Sequence, residues 1–148
     1  MQVRPLQTHD LDALLVLYTH LHVADDPLPS TRALAGVWAE ALANPRCRYI
    51  GGFIDQRLIS TCMVLVIPNL TRGARPYGLI ENVVTHQEHR GKGYGKALLA
   101  RALEFAWSQG CYKVMLMTGR KDAATHHFYE SAGFDAQSKK AFVAKPAA

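Results

Sequence analysis

Residues 90–96 read RGKGYGK and run directly into ALLARALEFAW at 97–107. The apolar positions of the second stretch recur at helical spacing, which predicts a helix over about 93–109, ended by Gly110. Three alternating glycines therefore stand at the mouth of a helix. Glycine lets the backbone approach a ligand closely, and the unpaired N–H groups of a helix's first turn point together toward an anion. A diphosphate is the expected guest, with Lys92 and Lys96 adding charge-assisted contacts. Two familiar phosphate loops are excluded. A Walker A loop needs four residues between its glycines, and the stretch from Gly91 to Gly95 has one too few, with Ala97 where a hydroxyl should follow. A dinucleotide fingerprint starting at Gly91 ends on Lys96, and one starting at Gly93 ends on Leu98.

Working outward, residues 2–6 predict a short strand, and Leu11, Leu14, Leu15 and Tyr18 predict a helix with Thr8 as its N-cap. Ser30 opens a second helix along Leu34, Val37, Trp38, Ala41 and Leu42, stopped by Asn44-Pro45. Arg48–Phe53 and Leu58–Ile67 are rich in β-branched and aromatic residues, and Asp55-Gln56-Arg57 between them is short enough for a hairpin. Tyr77–Thr85 is a further strand. Past the glycine loop and its helix come a strand at 112–118, a helix near Asp122–Ala132 ended by Gly133, and a final strand region in 134–144. The hairpin argues for antiparallel pairing and the later strand-helix-strand units for parallel pairing. The expected fold is α/β (α+β), a mixed and mostly antiparallel sheet flanked by helices.

The chain has 148 residues, 49% of them apolar and 20% charged, which suits one globular domain over 1–148. No stretch has the length of apolar sequence that export or membrane insertion needs, so neither a leader nor a membrane partner is expected. Cys47, Cys62 and Cys111 form no CxxC pair and no disulfide framework; reduced, inert thiols and a cytoplasmic location are the expectation. Seventeen Lys plus Arg against twelve Asp plus Glu leave a net charge of +5, which favours an anionic partner. No helix-turn-helix pattern, zinc spacing or aromatic RNA signature accompanies that charge, so nucleic acid is not the expected partner. The paired histidines 20 and 22, 86 and 89, and 126 and 127 lack ligand spacing, and no metal site is expected.

Arg90, Gly93 and Gly95 match the (Q/R)xxGx(G/A) signature of the GNAT superfamily, the acyl-CoA-dependent N-acyltransferases. Phe128, Tyr129, Gly133 and Phe134 resemble that family's FYxxxGF segment, on the element where the family carries it. LIENVVTHQEHRGKGYGKALL (79–99) and GCYKVML (110–116) are also similar to the corresponding parts of glucosamine-phosphate N-acetyltransferases. The resemblance implies a splayed, parallel central strand pair, with Val83, Val84 and Thr85 offering backbone to the pantetheine arm of acetyl-CoA. It implies that Arg90, Gly91, Lys92, Gly93, Tyr94, Gly95 and Lys96 hold the pyrophosphate, and that Tyr129 protonates the leaving thiolate. Glu81, nine residues before Arg90, is the candidate base for a primary amine acceptor, with water as the other route. Asp122 stands where the family often places a cofactor-contacting asparagine; an acid is awkward there, and a helix cap is its other reading. A homodimer is expected by the same analogy.

Each assignment has a plainer rival. The glycines could make a simple turn, Tyr129 could be packing behind Gly133, and Glu81 could be a solvated strand residue. Asp25 with Asp26, and Arg72 with Arg75, have ordinary solvated loops as their default. The alternative function is a non-catalytic acyl-CoA sensor, which would keep the loop but have no need of Tyr129.

Overall fold

The structure is a computed structural model and describes residues 1–22 and 24–147. Five strands, β1 (Gln2–Pro5), β2 (Cys47–Ile54), β3 (Arg57–Ile67), β4 (Tyr77–Thr85) and β5 (Val114–Leu116), form one sheet in the order β1-β2-β3-β4-β5. All neighbours are antiparallel except β4 and β5, which run parallel. That pair needs a crossover, and helix α4 (Tyr94–Ser108) supplies it. Helices α1 (Leu11–Tyr18) and α2 (Thr31–Ala43) precede the hairpin, and α5 (Ala123–Ser131) follows β5. The mixed, mostly antiparallel sheet is the one the periodicity predicts.

Two apolar clusters occupy the two faces of the sheet. Leu98, Leu99, Ala102 and Ala106 of α4 pack on Ile50, Cys62, Val64, Val66 and Ile80. Leu14 and Leu17 of α1 and Trp38 of α2 pack on Leu6, Phe53, Leu58 and Val84. Leu98 and Leu99 are fully buried, and each such side chain contributes about 1.5–3 kcal/mol by leaving water. The β2–β3 turn places Asp55 at φ 46° and Gln56 at φ 65°, the double positive φ that a two-residue hairpin demands.

Local chemistry sets the helix ends. Ser30 Oγ accepts from Ala33 N–H at 3.4 Å and opens α2 as the sequence predicts. At α1 the predicted Thr8 cap is replaced by a 3-10 turn, Thr8–Asp10, built around the buried Asp10. Arg4 Nη1 and Nη2 donate to the two Asp10 oxygens at 2.7 and 2.8 Å, and Gln7 N–H donates at 2.7 Å. These donors hold the Asp10 carboxyl below its ordinary range, the Arg4 hydrogen bonds first among them. Gly110 and Gly133 end α4 and α5 at φ 77° and 94°.

Two expectations are corrected. The strand read at 112–118 is confined to Val114–Leu116, because past Leu116 the chain turns away from β4. The strand expected in 134–144 does not form: those residues pair with no strand, and Phe142 and Val143 are 88% and 77% exposed. Only Phe134, Phe142 and Val143 of that stretch favour a strand; the Asp, Gln, Ser, Lys and Ala residues between them do not.

Candidate active site

The last hydrogen-bonded pair of the parallel strands is Ile80 with Leu116. Beyond it β4 and β5 separate, and a cavity of about 1030 Å³ opens between them. The splay has a visible cause in β4. Thr61 pairs with Val84 and Met63 with Glu81, so Asn82 and Val83 both face Cys62 across a bulge. Asn82 takes the left-handed φ of 53° there, a conformation that asparagine tolerates better than most residues. The extra residue also resets which face the strand presents: Ile80 and Val83 pack toward α4, and Val84 toward α1.

Glu81, Val83, Val84, Thr85, Arg90, Gly91, Gly93, Tyr94, Gly95, Lys96, Asp122 and Tyr129 all border this one cavity. Of the residues assigned to the cofactor loop, the strand and the catalytic roles from sequence, Lys92 alone does not border it. The three glycines turn out to have two distinct jobs. Gly91 and Gly93 sit at φ 73° and 78° with open space where a Cβ would project, so their backbone faces the void. Gly95 is a packing glycine. A Cβ on it would lie 3.0 Å from the Phe128 ring and 3.3 Å from Thr85 Oγ1, so its absence lets α4, α5 and β4 converge.

Gly93 caps α4 without a side-chain hydrogen bond, and the first bond of the helix runs from Ala97 N–H to Gly93 O at 3.1 Å. The N–H groups of residues 94–96 thus have no acceptor in their own helix and lie at the positive end of a 15-residue dipole. An anion is what this end can hold.

Helix α5 brings Tyr129 to the cavity, wedged by the Phe128 ring at 4.9 Å and the Phe134 ring at 6.4 Å. Burial pushes the phenol above its ordinary pKa; the Arg120 charge pulls against that, while Cys62 and Glu81 add to it. Tyr129 is therefore a protonated hydroxyl at neutral pH, with Glu81 close enough for its charge to be felt. Asp122 resolves toward the cap. Its Oδ1 accepts from Thr125 N–H at 2.8 Å and its Oδ2 from Thr125 Oγ1 at 2.9 Å, which holds the carboxyl below its ordinary range.

Burial pushes the Cys62 thiol up to about 12 and raises Cys111 as well, the opposite of what a nucleophilic thiol needs. His20, His22, His89 and His127 border the cavity, but among the described residues no three His, Cys, Asp or Glu side chains converge as metal ligands. Arg72, Arg75, Asp25 and Asp26 are absent from its lining.

Sequence reading did not find Asn82, Met117 or Arg120, nor the contact of His86 with Arg57. The double apolar-polar alternation of 77–85 hides a bulge, since only the partner strand reveals the extra residue. A DxxT pattern at 122–125, by contrast, is a readable cap signal.

The sequence profile described as the acetyltransferase (GNAT) family matches residues 12–134. A glucosamine 6-phosphate N-acetyltransferase of Trypanosoma brucei brucei is 33% identical over 148 residues, covering 95% of this chain and 92% of that protein. An Agrobacterium tumefaciens structure carrying a provisional acetyltransferase name superposes with a TM-score of 0.91 at 42% identity, over 99% of this chain and 100% of that one. The crystal structure of glucosamine-6-phosphate N-acetyltransferase from Arabidopsis thaliana shares the fold at a TM-score of 0.82 and 20% identity, with 97% of both chains covered. With the splayed β4–β5 pair, the glycine loop and the profile match in agreement, this chain belongs to the GNAT family, enzymes that move the acetyl group of acetyl-CoA onto an amine.

Proposed function

We propose that the chain acetylates the amine of glucosamine 6-phosphate by direct attack within a ternary complex with acetyl-CoA. The acceptor assignment is supported by the trypanosomal relative, alike over nearly the whole of both chains. The single observation that carries the site assignment is that the free N–H groups of the glycine loop, the unpaired edge of β4 past Ile80, Glu81 and Tyr129 share one cavity.

On this reading the backbone of Val83, Val84 and Thr85 receives the pantetheine arm as an added strand, and an N–H there polarises the thioester carbonyl. The loop from Arg90 to Lys96 holds the pyrophosphate, with Lys92 as a rim cation and Asp122 acting on the site by capping α5. Glu81, directly or through water, takes the proton that the ammonium must lose. The amine nitrogen then bonds to the carbonyl carbon, the carbon–sulfur bond breaks, the thiolate collects the Tyr129 proton, and the second proton lost by the nitrogen as it becomes an amide restores the phenol through water. Burial suits Tyr129 to that task, because it keeps the phenol protonated until a thiolate forms.

The whole chain acts as one domain in this scheme, without a metal, a nucleic acid or a membrane as partner. Free thiols at Cys47, Cys62 and Cys111 support a reducing, cytoplasmic location. Pairing into a homodimer is supported by the outer edge of β5, which has no partner strand among the described residues, and by the exposed Phe142 and Val143 of the tail.

The test is CoA release at saturating acetyl-CoA with glucosamine 6-phosphate, glucosamine, a polyamine, an aminoglycoside and a peptide N-terminus. Turnover is expected with glucosamine 6-phosphate, well above glucosamine. Preference for a peptide or aminoglycoside would overturn the acceptor, and tight acetyl-CoA binding with no turnover on any amine would favour a sensor.

A further inference from the structure

Beside the cavity, where α1 ends and β4 passes into the cofactor loop, histidines and arginines from four segments converge. The His20 and His86 rings lie with centroids 4.2 Å apart, and His89 lies 5.7 Å from His86. Arg57, at the start of β3, places Nη2 3.1 Å from His86 Nε2. Arg90, the first residue of the loop, points its guanidinium at backbone: Nε donates to Thr85 O at 3.0 Å and Nη2 to His20 O at 2.9 Å. This cluster joins the last turn after α1 to the end of β4 and to the loop. His20, Thr85, His89 and Arg90 all border the cavity.

The chemistry of His86 sets a condition on that junction. A guanidinium offers donors only, so the Arg57 contact requires a lone pair on Nε2. At Nδ1 the ring meets the Glu88 backbone N–H at 3.3 Å, a second donor, and the Glu88 carboxylate at 3.9 Å. A neutral imidazole has one lone pair and one N–H, so its two tautomers accept either from Arg57 at Nε2 or from the Glu88 N–H at Nδ1, and a protonated ring accepts neither. A protonated ring would set N–H against the guanidinium and add a charge beside Arg57, His20 and His89. The His86 side chain is 12% exposed; its burial, then the His20 and Arg57 charges, hold it below the ordinary histidine range, and Glu88 alone opposes them.

We propose that His86 is a positioning residue whose neutral ring, with Arg57, His20 and Arg90, clamps the end of α1 to the cofactor loop, and whose protonation opens the clamp. The proposal rests on the reading of the cavity as the acetyl-CoA site. The closed form binds its proton less readily than a free histidine does, so the clamp is at full strength above about pH 6.5 and weakens as pH falls below it. Because the clamp holds Arg90 and Thr85, which border the cavity at the cofactor loop, acidification loosens acetyl-CoA binding.

Two measurements decide it. Proton NMR titration of the histidine rings is run on the wild type and on Arg57→Met, and acetyl-CoA affinity is measured by calorimetry from pH 8 to 5.5 on the wild type and on His86→Gln. The Gln amide oxygen can still accept from Arg57 but cannot titrate. His86 is expected to titrate below 6.5 in the wild type and higher in Arg57→Met. On acidification the wild type is expected to lose affinity on the order of fivefold more than His86→Gln. A His86 midpoint that Arg57→Met leaves unmoved, or equal pH dependence in His86→Gln, would overturn the clamp. Failure of the wild type to bind acetyl-CoA at pH 8 would sink the site reading instead, and the NMR titration would still decide the clamp.

Discussion

Two basic, glycine-containing loops bracket β4, and only one of them borders the cavity. The loop at 69–76, NLTRGARP, carries Arg72 and Arg75 and precedes the strand; the loop at 90–96 carries Arg90, Lys92 and Lys96 and follows it. Both use positive φ, Arg72 at 58°, Gly73 at 71° and Ala74 at 57° in the first, Gly91 and Gly93 in the second. The first loop spends its polar groups on itself. Asn69 Nδ2 reaches Thr71 O at 2.9 Å and Arg75 O at 3.3 Å, Arg75 Nε donates to Arg72 O at 3.2 Å, and the Arg75 guanidinium lies 5.8 Å from the Tyr112 ring centre. The second leaves the N–H groups of a long helix open to a cavity. Both loops are basic and both contain glycine, but free donors beside a splayed strand pair belong to the second alone.

The largest effect should come from breaking the second loop at Gly93. Valine there would meet no protein atom, but it would have to hold φ 78°, at a cost of about 1–2 kcal/mol, and would project into the space a ligand's phosphates need. Gly93→Val should lose acetyl-CoA binding by calorimetry while its circular dichroism stays that of the wild type; retained binding would remove the loop from the site. Next is Tyr129→Phe. If the phenol protonates the leaving thiolate, kcat should fall about 100-fold or more with acetyl-CoA affinity nearly unchanged, and unchanged turnover would return Tyr129 to packing.

Glu81→Gln should act less strongly, because water can share the base's task. A fall in kcat of about tenfold, with the loss relieved toward alkaline pH, is expected from steady-state kinetics, and no change would leave deprotonation to water. At the bottom of the scale, Arg72→Ala and Arg75→Ala should leave acetyl-CoA affinity within about twofold, since solvated charges of this kind carry little energy. A larger loss from either would mean that the first loop belongs to the site after all.

The same pair of loops shows what a sequence can and cannot disclose. The second was legible because its evidence is local: a strand, glycines at fixed offsets and a helix in direct succession. The cap at Asp122, the hairpin at Asp55-Gln56 and the amphipathic faces of α2 and α4 were legible for the same reason. What was not legible depends on partners distant in the chain. The bulge at Asn82 exists only relative to β3, and Gly95 reads as a ligand glycine until Phe128, thirty-three residues on, is seen against it. The tail at 134–144 carries Phe134, Phe142 and Val143 among strand-poor Asp, Ser, Lys and Ala residues, and it pairs with no strand. His86 and Arg57 stand far apart in sequence, and no spacing rule announces their contact.

Backbone hydrogen exchange with and without acetyl-CoA compares the two loops in one experiment. The account predicts new protection concentrated in residues 82–96 and at the start of α5, with 69–76 exchanging as before. Protection at 69–76, or none at 91–96 when acetyl-CoA is bound, would contradict it.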